Sequence, residues 1–345
     1  MKKNNNENST QSVNLIVEEI TANSNTSKAV KSNAVSANAK YTADNPFMTA
    51  EEVARAKKRK SPAVILSKII IYLVLIVFAL WTLFPFSIVL SNSFKTREQA
   101  FSADFSWIPK PFTLEGYKQC ITEYVGPLDN GQHSLIIYGF FVTLGIVIPP
   151  TLLGLLTSAM SAFAFAKLNF KGKNFLFSVL LATMMIPGTI MTTPSFVLYN
   201  ALGLGESAFP LMVPGMFGAA TCVFFMRQFY SGIPTDLIEA AKLDGMGFYR
   251  MFFSIMVPLS VPALFAQGLL GFIGGYNDYF GPYLYLRDVD YPTLQVVLSG
   301  ISSYFPSSPN VIMASCVLAL LPTIVLYLIA QKYFIEGIAT SGMKL

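Results

Sequence analysis

Charge is what this sequence has least of. Asp, Glu, Lys and Arg make up 12% of its 345 residues, against about 25% in a typical soluble domain. That shortfall argues against a soluble globular protein. A net charge of +5 is modest and gives no case for nucleic-acid binding. The one histidine, His133, sits in a polar loop and reads as a solvated side chain. The three cysteines, Cys120, Cys222 and Cys316, lie far apart, so neither a disulfide framework nor a metal site follows. There is no phosphate-cradling G-x4-G-K-[ST]: Gly172-Lys173-Asn174 lacks both the upstream Gly and the closing hydroxyl. H-E-x-x-H, a nucleophile elbow and C-x-x-C are missing too. Enzyme activity and a bound cofactor are therefore not expected of this polypeptide.

What is abundant is apolar. The chain is 53% hydrophobic with mean hydropathy +0.52. Several apolar runs reach about 20 residues, the length that crosses a bilayer as a helix. The expected fold class is an all-α membrane protein with six transmembrane helices. The spans are placed at about 62–90, 135–166, 175–199, 209–229, 258–286 and 311–330. Residues 1–48 are rich in Asn, Ser, Thr and Lys and are expected to be disordered. Residues 49–62 form an amphipathic basic helix, opened by the capping box Thr49 to Glu52, and are expected to lie on membrane lipid. The six-span domain covers 63–335, and 336–345 is a short tail. Pro149-Pro150 are expected to interrupt the second span. Gly154, Ser158, Ala162 and Ala166 place small residues every four and should allow close helix contact.

Basic residues set the orientation. Nineteen of the 24 Lys and Arg fall in the segments that would share one side, and Lys95, Arg97, Lys110, Lys118 and Arg287 fall on the other. By the positive-inside rule both termini face the cytoplasm, and so does the loop at 234–256.

That loop is the most informative stretch: T-D-L-I-E-A-A-K-L-D-G-M-G-F-Y-R-M-F-F-S-I-M-V-P, Thr235 to Pro258. Asp236 and Glu239 suit the first turns of a helix, where the dipole favours negative charge. Gly245 supplies a bend through left-handed backbone angles. A second helix carries Phe248, Met251, Phe252 and Ile255 on one face, and Pro258 opens the next span. A helical knob between two spans needs a socket on another protein.

Glu239-Ala240-Ala241, Gly245, Ile255 and Pro258 resemble the E-A-A-x3-G-x9-I-x-L-P loop of ABC importer permeases, with Val257 standing where Leu is usual. The resemblance extends over about residues 60–345. M-M-I-P-G-T-I-M-T-T-P and G-G-Y-N-D-Y-F are similar to segments of carbohydrate-uptake permeases of the MalG-like type, and so is the tail from Gln331, though Ser341 to Leu345 depart in detail. It implies the type I importer permease fold, in which this loop is a cytoplasmic coupling helix. Glu239, Ala240, Ala241, Asp244 and Gly245 would dock on an ATPase, with Ile255 and Pro258 completing the motif. The implied partners are a second homologous permease forming a heterodimer, two ATP-binding subunits that use ATP and Mg, and an extracytoplasmic solute-binding protein. The implied cargo is a sugar, of oligosaccharide type, crossing a bacterial or archaeal cytoplasmic membrane. Another solute class, glycerol phosphate or peptide, is the alternative, and an ATP-independent carrier or channel comes after it.

Apart from Arg227 at the inner end of the fourth span, only Lys68 and Asp278 are charged within the spans. An ionisable group at membrane depth is a functional candidate. Tyr276, Asn277, Asp278 and Tyr279 could line the substrate pathway, offering hydrogen bonds and a ring for a sugar. Alternatively, Asn277 and Asp278 cap or bridge helices.

Overall fold

A computed structural model describes residues 62–104, 106–124, 134–286 and 289–342, without the side chains of 62–64 and 332–342. The expectations for 1–61, for His133 and for the last three residues lie outside it. The chain divides into two units, 1–84 and 85–345. The first contributes most of helix α1 (Pro62–Ser93), apolar along most of its length and with Pro85 inside it. Everything below concerns the second.

All the regular elements described are helices. After α1 come α2 (Arg97–Phe101), α3 (Glu115–Thr122) and α4 (Leu135–Lys167). Then follow α5 (Lys173–Met184), α6 (Gly188–Ala201), α7 (Phe209–Met216) and α8 (Ala220–Ser231). The remainder are α9 (Asp236–Leu243), α10 (Phe248–Met251), a π-helical turn (Phe252–Met256), α11 (Val257–Leu259), α12 (Val261–Tyr276), α13 (Phe280–Tyr285), α14 (Leu294–Tyr304) and α15 (Pro309–Gly342).

Among the described residues four stretches are long and apolar enough to cross a membrane: Ile65–Ser93, Leu135–Lys167, Phe209–Ser231 and Pro309–Gln331. Two more qualify only as bent pairs, which makes six. The third span breaks by 93° between α5 and α6, and the fifth by 83° between Phe248–Leu259 and α12. The sequence reading placed no bend at either point. At the first, Pro187 has no N–H to give and drives Ile186 out of helical angles. The apolar run continues through it, so hydropathy alone conceals the break.

α4 is the axis of the unit, and it corrects the expected interruption at Pro149-Pro150. Both prolines lie inside one continuous 33-residue helix. Prolines persist in spanning helices where neighbours satisfy the backbone groups they free. The small-residue spacing does what was expected of it. A Cβ on Gly154 would overlap the carbonyl oxygen of Gly215, so α4 and α7 meet backbone to backbone. Below that point Ser158 and Ala162 are buried, and Ala166 is half-buried. The fourth span opens at Phe217–Ala219, where Gly218 takes φ +98°. Two hydroxyls of α4 fill the gap. Thr157 Oγ1 donates to Met216 O at 3.0 Å, and Ala219 N donates to Ser158 Oγ at 3.1 Å.

The segment after α1 folds onto the start of α15. A Cβ on Gly116 would lie 2.8 Å from Asn310 O, and Cys120 beside it is fully buried. Burial pushes the Cys120 thiol up to about 12, which leaves it an inert packing group. α15 runs on as helix to Gly342, so most of the expected tail is helical.

Candidate functional site

The loop between the fourth and fifth spans is built as a small folded block. α9 starts at Thr235, whose carbonyl accepts from Ile238 N (2.9 Å) and Glu239 N (3.1 Å). It stops at Gly245, φ +78°. Met246 N donates to Ala241 O (2.9 Å) and Gly245 N to Lys242 O (3.0 Å), the paired bonds of a Schellman motif. Nothing lies within 4 Å of a Cβ built on Gly245. Glycine is therefore required by the backbone angle and not by space, and another residue would cost about 1–2 kcal/mol there.

The two faces of α9 differ sharply. Ile238 and Ala241 turn inward and are 0% and 4% exposed. They join Met226, Tyr230, Met251, Phe252 and Met256 in one core. Glu239, Ala240, Asp244 and Gly245 turn outward and are exposed, with Leu243 the most prominent at 90%. Ala241 was expected on the docking face and is not there; its small size lets α9 sit close on its own core. Of the four residues expected on one face of the second helix, Met251 and Phe252 are buried and Ile255 is half-buried. Phe248, in the first turn, is exposed beside Tyr249. The sequence reading passed over Leu243 and Tyr249. Leu243 stands two positions from Ala241 and so on the opposite side of a helix, which is the signal that could have found it.

At the block's base, Lys167 Nζ donates to Ile233 O and ties the end of α4 to the loop's entry. At its exit, Pro258 does not open the membrane helix as expected. It lies in α11, before the bend, and Pro262 begins α12 instead. Between the prolines sits Ser260, fully buried. Its hydroxyl donates to Met256 O at 2.7 Å and lies 3.2 Å from the hydroxyl of Tyr230.

The second group of candidates lies at the far end of α12, and the structure separates its members. Tyr276 is fully buried: its ring stacks on Phe272 and its hydroxyl donates to Ala319 O at 3.0 Å. That removes it from the residues expected to line the substrate pathway, because the hydroxyl is spent on joining α12 to α15. Asn277, Asp278 and Tyr279 are exposed. Asp278 Oδ1 accepts from Gly281 N at 3.3 Å and so caps the short α13. Tyr279 leans on Tyr283, ring centroids 5.2 Å apart. Asp278 also borders a cavity of about 250 Å³, shared with Ile146, Pro150, Thr151, Gly271 and Thr293. A larger groove of about 380 Å³, between α4, α12 and α15, is lined by apolar side chains such as Leu155, Phe265 and Phe272. Among the described residues no three His, Cys, Asp or Glu side chains gather as a metal site would need.

Comparison with known proteins agrees with this architecture. Residues 154–340 match the family described as binding-protein-dependent transport system inner membrane component. The arabinooligosaccharides transport system permease protein AraQ of Bacillus subtilis (strain 168) is 31% identical over 288 residues, covering 83% of this chain and 99% of AraQ. The sn-glycerol-3-phosphate transport system permease protein UgpE of Yersinia pestis is 30% identical over 276 residues, covering 78% and 95%. The inner membrane ABC transporter permease protein YcjP of Escherichia coli (strain K12) is 27% identical, covering 81% and 97%. A chain in the crystal structure of a bacterial ABC transporter involved in the import of the acidic polysaccharide alginate has the same fold. Its TM-score is 0.68 at 22% identity, with 79% of this chain and 98% of that one covered.

Proposed function

Because the chain belongs to the family of binding-protein-dependent transport system inner membrane components, we propose that it forms half of the translocation pathway of an ATP-driven importer. Its cargo is a sugar of oligosaccharide type. ATP is bound and hydrolysed by two separate subunits, and a second permease completes the pathway. An extracytoplasmic binding protein delivers the solute. Both termini and the loop between the fourth and fifth spans face the cytoplasm.

One observation carries the reading: the loop is folded on its own core yet presents a polar and apolar outer face. Glu239, Ala240, Leu243, Asp244 and Gly245 form that face, and Leu243 and Tyr249 are large side chains left in the open. Exposed apolar side chains beside charged ones suit a socket on a partner protein. The rigid inner face lets a push on the loop move it as a body. The names of AraQ and of the alginate transporter support a sugar cargo. The name of UgpE favours sn-glycerol 3-phosphate as the second reading. In either case Asn277, Asp278 and Tyr279, exposed at the end of α12, are the pathway candidates.

The test is a detergent pull-down of the tagged chain. The native form is expected to bring down an ATPase and a second permease. Glu239→Arg should lose the ATPase by charge reversal, and Gly245→Trp by strain and bulk together. Gly245→Ala adds strain without bulk and should retain part of the ATPase. A native chain that purifies alone and still conducts solute in liposomes would overturn the reading. Uptake of an arabinan oligosaccharide against sn-glycerol 3-phosphate, with the co-purified binding protein, separates the two cargoes.

A further inference from the structure

We propose that the Tyr230–Ser260 hydrogen bond pins the pivot on which the loop turns the fifth span. Tyr230 and Ser260 thereby act as positioning residues for transport. The inference rests on the coupling role proposed above for the loop.

The two residues stand at the loop's two ends, 30 positions apart in the chain. Both are fully buried, and their hydroxyl oxygens are 3.2 Å apart. The direction of the bond follows from proton count. The single proton of Ser260 goes to Met256 O at 2.7 Å, so Tyr230 O–H donates to Ser260 Oγ.

The backbone at this point is poorly held by itself. Pro258 and Pro262 stand two residues either side of Ser260. Neither has an N–H, so the carbonyls of Ser254 and Pro258 lose their ordinary helical donors. The π turn Phe252–Met256 already shifts the hydrogen-bond register just before it. Ser260 N is shared between Met256 O (3.1 Å) and Val257 O (3.0 Å). The helix bends by 83° here. A joint with so few backbone restraints would flex if nothing outside the helix held it. The phenol of Tyr230, rooted in α8, supplies that hold.

The mechanical consequence is specific. The loop's inner face shares one core with the end of α8. A displacement at Leu243 and Asp244 therefore moves the whole block. With the pivot pinned to α8, that displacement changes the direction of α12. With the pivot free, it is absorbed at Ser260. Tyr230→Phe removes only the hydroxyl and keeps the ring in the core. Ser260 keeps its donor bond to Met256 O, so folding is expected to survive.

The test uses the complex co-purified with the full chain, in lipid nanodiscs. Spin labels at Phe253, before the bend, and Leu270, on α12, report the distance across it; both side chains are exposed. It is measured without nucleotide and after trapping with ATP and vanadate. The native complex should give one narrow distribution that shifts on trapping. Tyr230→Phe and Ser260→Ala should each broaden it at least twofold and abolish the shift, and the double variant should be no broader than either. Ser260→Thr, which keeps a hydroxyl, should restore the native width. A native width in Tyr230→Phe overturns the pin. If Tyr230→Phe disassembles, equal widths in Ser260→Ala and Ser260→Thr overturn it instead. A native complex that lacks an ATPase, or that does not shift on trapping, overturns the coupling role itself and with it the pin's part in transport. The nucleotide-free width separates that outcome from failure of the pin alone.

Discussion

The third and fifth spans bend by nearly the same angle, 93° and 83°, yet they are held in opposite ways. The bend at Met185–Pro187 is made by local sequence. Its flanking helices α5 and α6 bury no residue completely, and Met185 at the corner is 84% exposed. The bend at Ser260 is made by tertiary contact. Ser260, Tyr230 and Met256 around it are all 0% exposed and joined by hydrogen bonds. A proline is enough to break a helix, but a fixed angle needs a partner inside the fold. The third-span bend leaves its apolar surface open, whereas the fifth-span bend is finished within the chain.

The hardest way to break this contrast is to hollow out one bend and then the other. Met256→Ala should cost about 2–5 kcal/mol, the range for truncating a buried side chain. Met185→Ala should stay within about 0.5 kcal/mol, as exposed substitutions do. Thermal unfolding of the two variants in the same detergent compares them, and equal losses would abolish the distinction. A milder cut is the single hydroxyl. Tyr230→Phe should cost about 0.5–1.5 kcal/mol, the worth of one hydrogen bond. Its cost should vanish in a Ser260→Ala background, which a double-mutant cycle of unfolding midpoints would read. The gentlest change touches the prolines. Pro187→Ala should let the third span open, seen as a longer distance between spin labels on Phe175 and Val197. Pro258→Ala should leave the distance across the fifth bend as it was, because Tyr230 still holds Ser260.

Reading the sequence reached the six apolar segments because hydropathy over about 20 residues is a strong signal. It reached Gly245 because left-handed backbone angles select glycine, and it reached Gly154 and Ser158 because small residues every four mark one helix face. It missed both bends, since Ile186-Pro187 and Ser260 lie inside apolar runs that never change composition. Pro149-Pro150 were misread in the other direction. What a proline does at membrane depth depends on who satisfies the freed carbonyls, and those neighbours are far away in the chain. Tyr276 failed for a related reason. A phenol can point its hydroxyl to a pathway or to a backbone carbonyl such as that of Ala319, and local sequence carries no record of which. Ala240 and Ala241 are identical letters with opposite surroundings, and only the packed core tells them apart.

The tie from Lys167 to Ile233 has a consequence for how the chain is made. Its two ends are 66 residues apart. At a synthesis rate of about 5–20 residues per second, the carbonyl emerges about 3–13 s after the lysine. Over that interval α4 is complete but lacks its tether, and for most of it lacks its contact at Gly215 as well. Thr157 can shelter its hydroxyl on its own helix meanwhile, because Leu153 O stands 2.9 Å from Oγ1 and is an alternative acceptor to Met216 O. The central helix of the finished protein is thus an early arrival that waits for the fourth span to reach it.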